Sequence, residues 1–168
     1  MYDFEVDFTV FSAFHVEIVN LHDDALKFEP IYRVMMGVDP EDVLSALRVY
    51  ASELDGGESA QKIEYMHAGG EGVVTVDHPA LQLTVGTLQD FIDKYLPAHP
   101  GAEVDYIHGE DVTRALGRKQ NSIGFIFDGM GKDELFKTVI FDGALPRKTF
   151  SMGHARDKRF YLECRKIK

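Results

Sequence analysis

The strongest constraint on this chain is how the spacing of its apolar residues changes between Phe28 and Phe141. Strand-like runs alternate with helix-like periods, and no linker, internal repeat or low-complexity stretch separates them. Phe28–Met36 (FEPIYRVMM) reads as a strand, and Asp39-Pro40-Glu41-Asp42 follows almost at once. There Asp39 can cap a helix, Pro40 suits its first position, and two acids complement the positive end of its dipole. Val43, Leu44, Leu47, Tyr50 and Leu54 then recur at helical spacing, with Gly56-Gly57 as the stop. Ile63–His67 and Gly72–Val76 around Gly69-Gly70 predict a hairpin. Thr87, with Asp90 in capping-box register, predicts a helix that buries Leu88, Phe91, Ile92 and Tyr95 and ends before Pro97. The second half repeats the rhythm: 103–108 extended, 111–119 helical, 122–127 extended, 133–141 helical. His15–Leu21 and Phe160–Arg165 alternate in the manner of further strands, and Asp55–Ala60 reads as a surface loop. The expected class is α/β (α+β), a mixed β-sheet with about four helices packed on it, within one globular domain over residues 1–168.

Charge divides the chain unevenly. The last twenty-four residues, Leu145–Lys168, hold eight Lys or Arg against Asp157 and Glu163, a formal +6, which leaves −16 on residues 1–144 of a chain whose total is −10. The acidic body opposes non-specific binding to nucleic acid, whose affinity rests on clustered cations; only the C-terminal patch escapes that objection. One cysteine, Cys164, excludes an internal disulfide framework and a multi-cysteine zinc site, and it fits a reducing cytoplasm. No targeting signal is read in Met1–Phe14, and no apolar run approaches a membrane span. Phosphate-loop, dinucleotide-glycine and paired-histidine metal motifs are all missing.

Within the basic segment, Arg147 offers a planar fork for phosphate or carboxylate and Lys148 a point charge. Thr149 and Ser151 add hydroxyls, and Gly153 permits a close backbone approach. The same residues in an acidic protein would equally serve ordinary ion pairs and a turn. His22-Asp23 follows a predicted strand, where Asp23 could orient the imidazole as a base or ligand, or simply cap its own turn. His108 ends a predicted strand just before a helix, the position at which open α/β sheets gather ligands, although Glu110 and Asp111 would repel an anion there. Glu29 and Arg33 are spaced for an ordinary ion pair. His22, Asp23 and His108 are thus the catalytic candidates. Arg147, Lys148, Thr149, Ser151, Gly153, Arg33 and Glu29 are the candidates for binding an anionic ligand, and no metal site is expected.

Four ordered blocks carry a resemblance: Glu17-Ile18-Val19-Asn20-Leu21-His22-Asp23, Phe28-Glu29-Pro30-Ile31-Tyr32-Arg33-Val34, Tyr106-Ile107-His108-Gly109, and Leu145-Pro146-Arg147-Lys148-Thr149-Phe150-Ser151-Met152-Gly153-His154. In these the chain resembles the C-terminal part of a bacterial and archaeal family catalogued as domain of unknown function number one thousand and fifteen. Members are roughly twice as long, and their upstream half is often labelled sporulation/partition or ParB-like. The resemblance implies an accessory or ligand-binding half of a nucleotide- or phosphometabolite-linked enzyme of phosphotransferase type, since some ParB-like folds act on nucleotides. Most residues for such chemistry would then lie outside this chain. It implies ATP or ADP with Mg as the cofactor class, and a small phosphorylated metabolite, the family's N-terminal half and a second copy as partners. Neither nucleic acid nor membrane is an expected partner. Tyr32 stands where the family often has His. Two other readings remain open: a nucleic-acid-associated partition-type regulator using the basic terminus, and a structural or dimerisation domain.

Overall fold

Residues 28–36 combine β-branched and aromatic side chains with a continuous buried run from Tyr32 to Met35, and they form strand β1 (Phe28–Met36) in the interior of a sheet, covered on both faces. The fold is seen in a computed structural model that describes residues 20, 24 and 26–153. The strands predicted at His15–Leu21 and Phe160–Arg165 fall almost wholly outside those residues.

The other elements follow in order: α1 (Pro40–Glu53), β2 (Gln61–His67), β3 (Gly70–Val76), α2 (Thr84–Tyr95) with a 3-10 turn at Leu96–Ala98, β4 (Glu103–His108), α3 (Glu110–Gly117), β5 (Ser122–Ile126), α4 (Glu134–Asp142) and β6 (Phe150–Met152). Among the described residues, six strands and four helices bear out the α+β class. The sheet order is β3-β2-β5-β1-β4, with β6 joined to the first residues of β1, and every pairing is antiparallel.

Local chemistry accounts for most boundaries. Asp39 accepts the N–H of Glu41 at 3.0 Å and Pro40 occupies the first turn, as the sequence predicts for α1. The second helix departs from expectation. It begins at Thr84, and Thr87 lies inside it, 1% exposed. Asp90 closes no capping box, because the Tyr50 hydroxyl and the Lys94 ammonium donate to its carboxylate, each at 2.6 Å. Burial works to raise the Asp90 pKa, but these two donors outweigh it and hold the carboxyl below its ordinary value. Tertiary packing of Leu83, Val85 and Leu88 therefore overrides the local capping signal.

Strand alternation sends side chains to two faces. On one, Met35, Ile63, Val74, Ile123 and Phe125 meet Val43, Leu44 and Leu47 of α1 and Leu88, Phe91 and Ile92 of α2, and this is the principal core. On the other lies α3, whose approach depends on two glycines. A Cβ on Gly117 would stand 2.6 Å from the backbone nitrogen of Gly124 and 2.9 Å from the carbonyl oxygen of Met66. Arg114 of α3 ties the helix to the same face through Glu64 of β2, and Arg118 does so through Glu71 of β3, while Glu110, one turn earlier in α3, braces Arg114. Such exposed pairs contribute little singly and gain from forming a network.

Gly117→Ala should cost about 1–3 kcal/mol, since the obstructing atoms are backbone and cannot rotate away. Urea unfolding measures this, and a variant as stable as the wild type would show that α3 can lift off β5 freely.

Candidate functional site

Strand alternation aims Arg33 at the α2 side of the sheet, together with Met35, and it lies in register with Phe125 on β5 and Tyr106 on β4. A charge at this position must be fully hydrogen-bonded to be tolerated, because its side chain is 0% exposed. Its Nε donates to Gln89 Oε1 at 2.9 Å. Its Nη1 reaches the carbonyls of Ile31 (2.6 Å) and Lys148 (3.1 Å), and its Nη2 the carbonyl of Arg147 (3.0 Å). The guanidinium also lies 4.5 Å from the centre of the Tyr106 ring. Burial pushes its pKa down to about 10, with Arg147 adding to that and Tyr106 and Asp93 opposing it, so Arg33 stays charged at neutral pH.

Above this guanidinium, the chain turns at Pro146–Thr149. The Thr149 hydroxyl donates to the Pro146 carbonyl at 2.6 Å, and Lys148 holds a left-handed backbone with φ 55°. A non-glycine residue in that region costs energy and persists where neighbours enforce it, here through the Arg33 bonds on either side of the strained peptide. The Arg147 side chain spreads over Tyr106. Its Nε donates to the phenol oxygen at 2.7 Å and its Nη2 donates to the Asp93 carboxylate. Asp93 in turn accepts Gln89 Nε2 at 2.8 Å, closing a ring of contacts from Arg33 through Gln89, Asp93 and Arg147 to Tyr106. Three cations, Arg33, Arg147 and Lys148, thus come together on one strand and the loop above it, and Arg147 is the one of them that pairs with Asp93. Arg147 and Lys148 are exposed, and Lys148 has no side-chain partner among the described residues.

The structure brings Arg33, Arg147, Lys148 and Thr149 together, as the sequence grouped them, but gives Arg33 a different task. It holds the loop from beneath and offers no donor to solvent. Four residues along a strand span roughly 13 Å, which is why Arg33 spends its donors here rather than on Glu29. Glu29 pairs in register with Ser151 of β6, and the rings of Phe28 and Phe150 stack beside them at 4.1 Å. Ser151 is buried and donates to the Gly153 carbonyl at 3.4 Å. Gly153 has φ 70° and its N–H donates to the Lys27 carbonyl at 3.3 Å. His108 follows Tyr106 by two residues and shares its face of β4, half-buried and opposite Ile31. Gly109 then turns into α3 with φ 104°, a value that a side chain would strain. His22 and Asp23 lie outside the described residues.

Tyr106, Gln89 and Asp93 were not among the residues singled out from sequence. Gln89 and Asp93 carried a signal, being four apart on one face of a helix. A separate groove of about 490 Å³ runs between α1 and α2. Val49, Phe91, Tyr95 and His99 are among its lining residues, the last two with rings stacked at 3.7 Å. Among the described residues no three His, Cys, Asp or Glu converge as a metal-binding group, and no helix is long and apolar enough to cross a membrane. No family model, curated protein or solved structure matches the chain.

Arg33→Met, similar in length but without donors, should lower stability by about 2–3 kcal/mol because the carbonyls of Ile31, Arg147 and Lys148 and the Gln89 side chain lose their partner. Amide exchange should rise selectively in residues 146–149. Unchanged exchange there would mean that the turn holds its shape without Arg33.

Proposed function

We propose that Pro146–Thr149 is the anion-binding element of an accessory domain that takes the phosphate groups of a small phosphorylated metabolite or nucleotide. One observation carries this reading: Arg33 draws the carbonyls of Arg147 and Lys148 inward. Carbonyl oxygens facing out would repel an anion, and with both turned to the core the outer side of the loop presents the Arg147 fork and the Lys148 ammonium. Arg147 would exchange Asp93 for a phosphate oxygen while its Nε stays on Tyr106, and the shape of the loop would be set before the ligand arrives. His108, the catalytic candidate that lies among the described residues, is on the same face of β4 as Tyr106.

Chemistry of phosphotransferase type, with ATP or ADP and Mg as reactants, would then rest largely on residues of a companion polypeptide. The N-terminal half of the family that the chain resembles is the natural one. The acidic body favours a small anion over a nucleic acid, because a duplex would bring many phosphates against carboxylates.

Calorimetric titration with pyrophosphate, ADP and ATP, each with and without Mg²⁺, tests the reading. Arg147→Ala should weaken binding roughly ten- to a hundredfold, the loss of one charge-assisted contact or two, with little change in unfolding temperature. Lys148→Ala should cost less. Equal affinity in wild type and Arg147→Ala, or no binding of any of the three, would overturn it; tight, salt-sensitive binding to DNA in their place would favour the partition-type reading.

A further inference from the structure

Helix α4 carries its apolar side outward. Thr138 is 2% exposed, Leu135 is partly buried, and Asp142 accepts the Gln82 N–H at 2.7 Å, so these residues face the body of the protein. On the opposite side Phe136 is 64% exposed and Ile140 is 76% exposed, flanked by Val139 at 45% and Phe141 at 72%. Phe136, Val139 and Ile140 stand three and four residues apart and so form one stripe. A helix that serves only as a cover for a core turns its polar side to water, and this one reverses that arrangement.

We propose that this face is the contact surface for a second copy of the chain, with the two α4 helices packed antiparallel about a two-fold axis. The stripe suits itself. An aromatic residue at one end and a branched aliphatic at the other, four residues apart, set Phe136 of each copy against Ile140 of its mate, with the two Val139 side chains near the axis. Its area suits a reversible pair: Phe136, Val139 and Ile140 present on the order of 350 Å² of apolar surface at the exposures given, with Phe141 at the rim. Two copies would remove roughly 700–1,000 Å² from water, the size of a weak, concentration-dependent interface. Charge permits it as well. Lys137, which the same pairing sets opposite Val139 of the mate, can carry its ammonium out to solvent on a flexible stem, and Asp133 lies at the rim of the contact. An anionic membrane surface is disfavoured by Glu134 and Asp142 at the ends of the same short helix.

The interface is independent of the anion loop, and so is its test. Sedimentation velocity over a micromolar concentration series, at low and high salt, should show wild type associating to a dimer that salt does not disperse. Ile140→Glu should weaken that association roughly 30-fold or more, the effect expected when a charge is placed at a central apolar contact. Phe136→Ser should do the same, while Val73→Glu, an exposed apolar residue on β3, should leave the dimer intact. Because residue 140 points to solvent, circular dichroism should be unchanged in Ile140→Glu, and its unfolding midpoint should equal that of wild type at dilutions where both are monomeric. A wild type that remains monomeric throughout overturns the proposal, as does a dimer that survives both α4 substitutions. A dimer dispersed by salt alone overturns it too, and would assign association to the basic C-terminal residues.

Discussion

Much of the observed arrangement depends on the burial of one positive charge. Arg33 sits in the central strand where its neighbours Val34 and Met35 are wholly removed from water, and an unpaired guanidinium there would cost more than the domain's net stability. The cost is met by bringing acceptors to it from distant parts of the chain: Gln89 from α2, Ile31 from its own strand, and two carbonyls from a loop more than a hundred residues away. Each acceptor fixes the position of the element that carries it. The same bonds hold Lys148 in a left-handed conformation and leave the side chains of Arg147 and Lys148 exposed. A hydrophobic residue at position 33 would bury more comfortably, but it would not specify where residues 146–149 go.

The two faces of the sheet use different means of attachment. Toward α1 and α2 the contact is a thick apolar layer, edged by Tyr50 on Asp90 and Tyr95 on Asp42, whose hydroxyls lie 2.6 Å from their carboxylates. Toward α3 the two backbones approach closely because Gly117 and Gly124 carry no side chain, and the surrounding charges form ion pairs at the surface. The first arrangement tolerates redistribution of volume, whereas the second does not, since backbone cannot repack. Helix α4 belongs to neither layer in the same sense. It is anchored by Leu135 and Thr138, and its remaining apolar residues, Phe136, Val139, Ile140 and Phe141, face outward, which is the pattern of a surface that takes a protein neighbour.

Much of this was legible in the residues. The strand at 28–36, the helix begun by Asp39-Pro40, the hairpin at Gly69-Gly70 and the strand at 103–108 all follow from periodicity and turn chemistry, and all are present. The start of α2 was misjudged because Thr87 and Asp90 match a capping box, while the structure uses Asp90 to join two helices. Of the candidate site, Arg147, Lys148 and Thr149 were evident from type and spacing. Tyr106, Gln89 and Asp93 were not, because what unites them with Arg147 is proximity across three elements.

The chain by itself determined the class of fold, the limits of most elements and the presence of a basic, hydroxyl-bearing segment in an acidic protein, because these rest on interactions within a few residues. The tertiary structure decided the order of strands, that Arg33 spends its donors on Gln89 and loop carbonyls instead of on Glu29 four residues away, and above all that Arg33 faces inward to hold the loop while Arg147 faces outward from it. Those outcomes depend on strand alternation and register acting over separations of fifty to more than a hundred residues, where a sequence pattern carries no directional information.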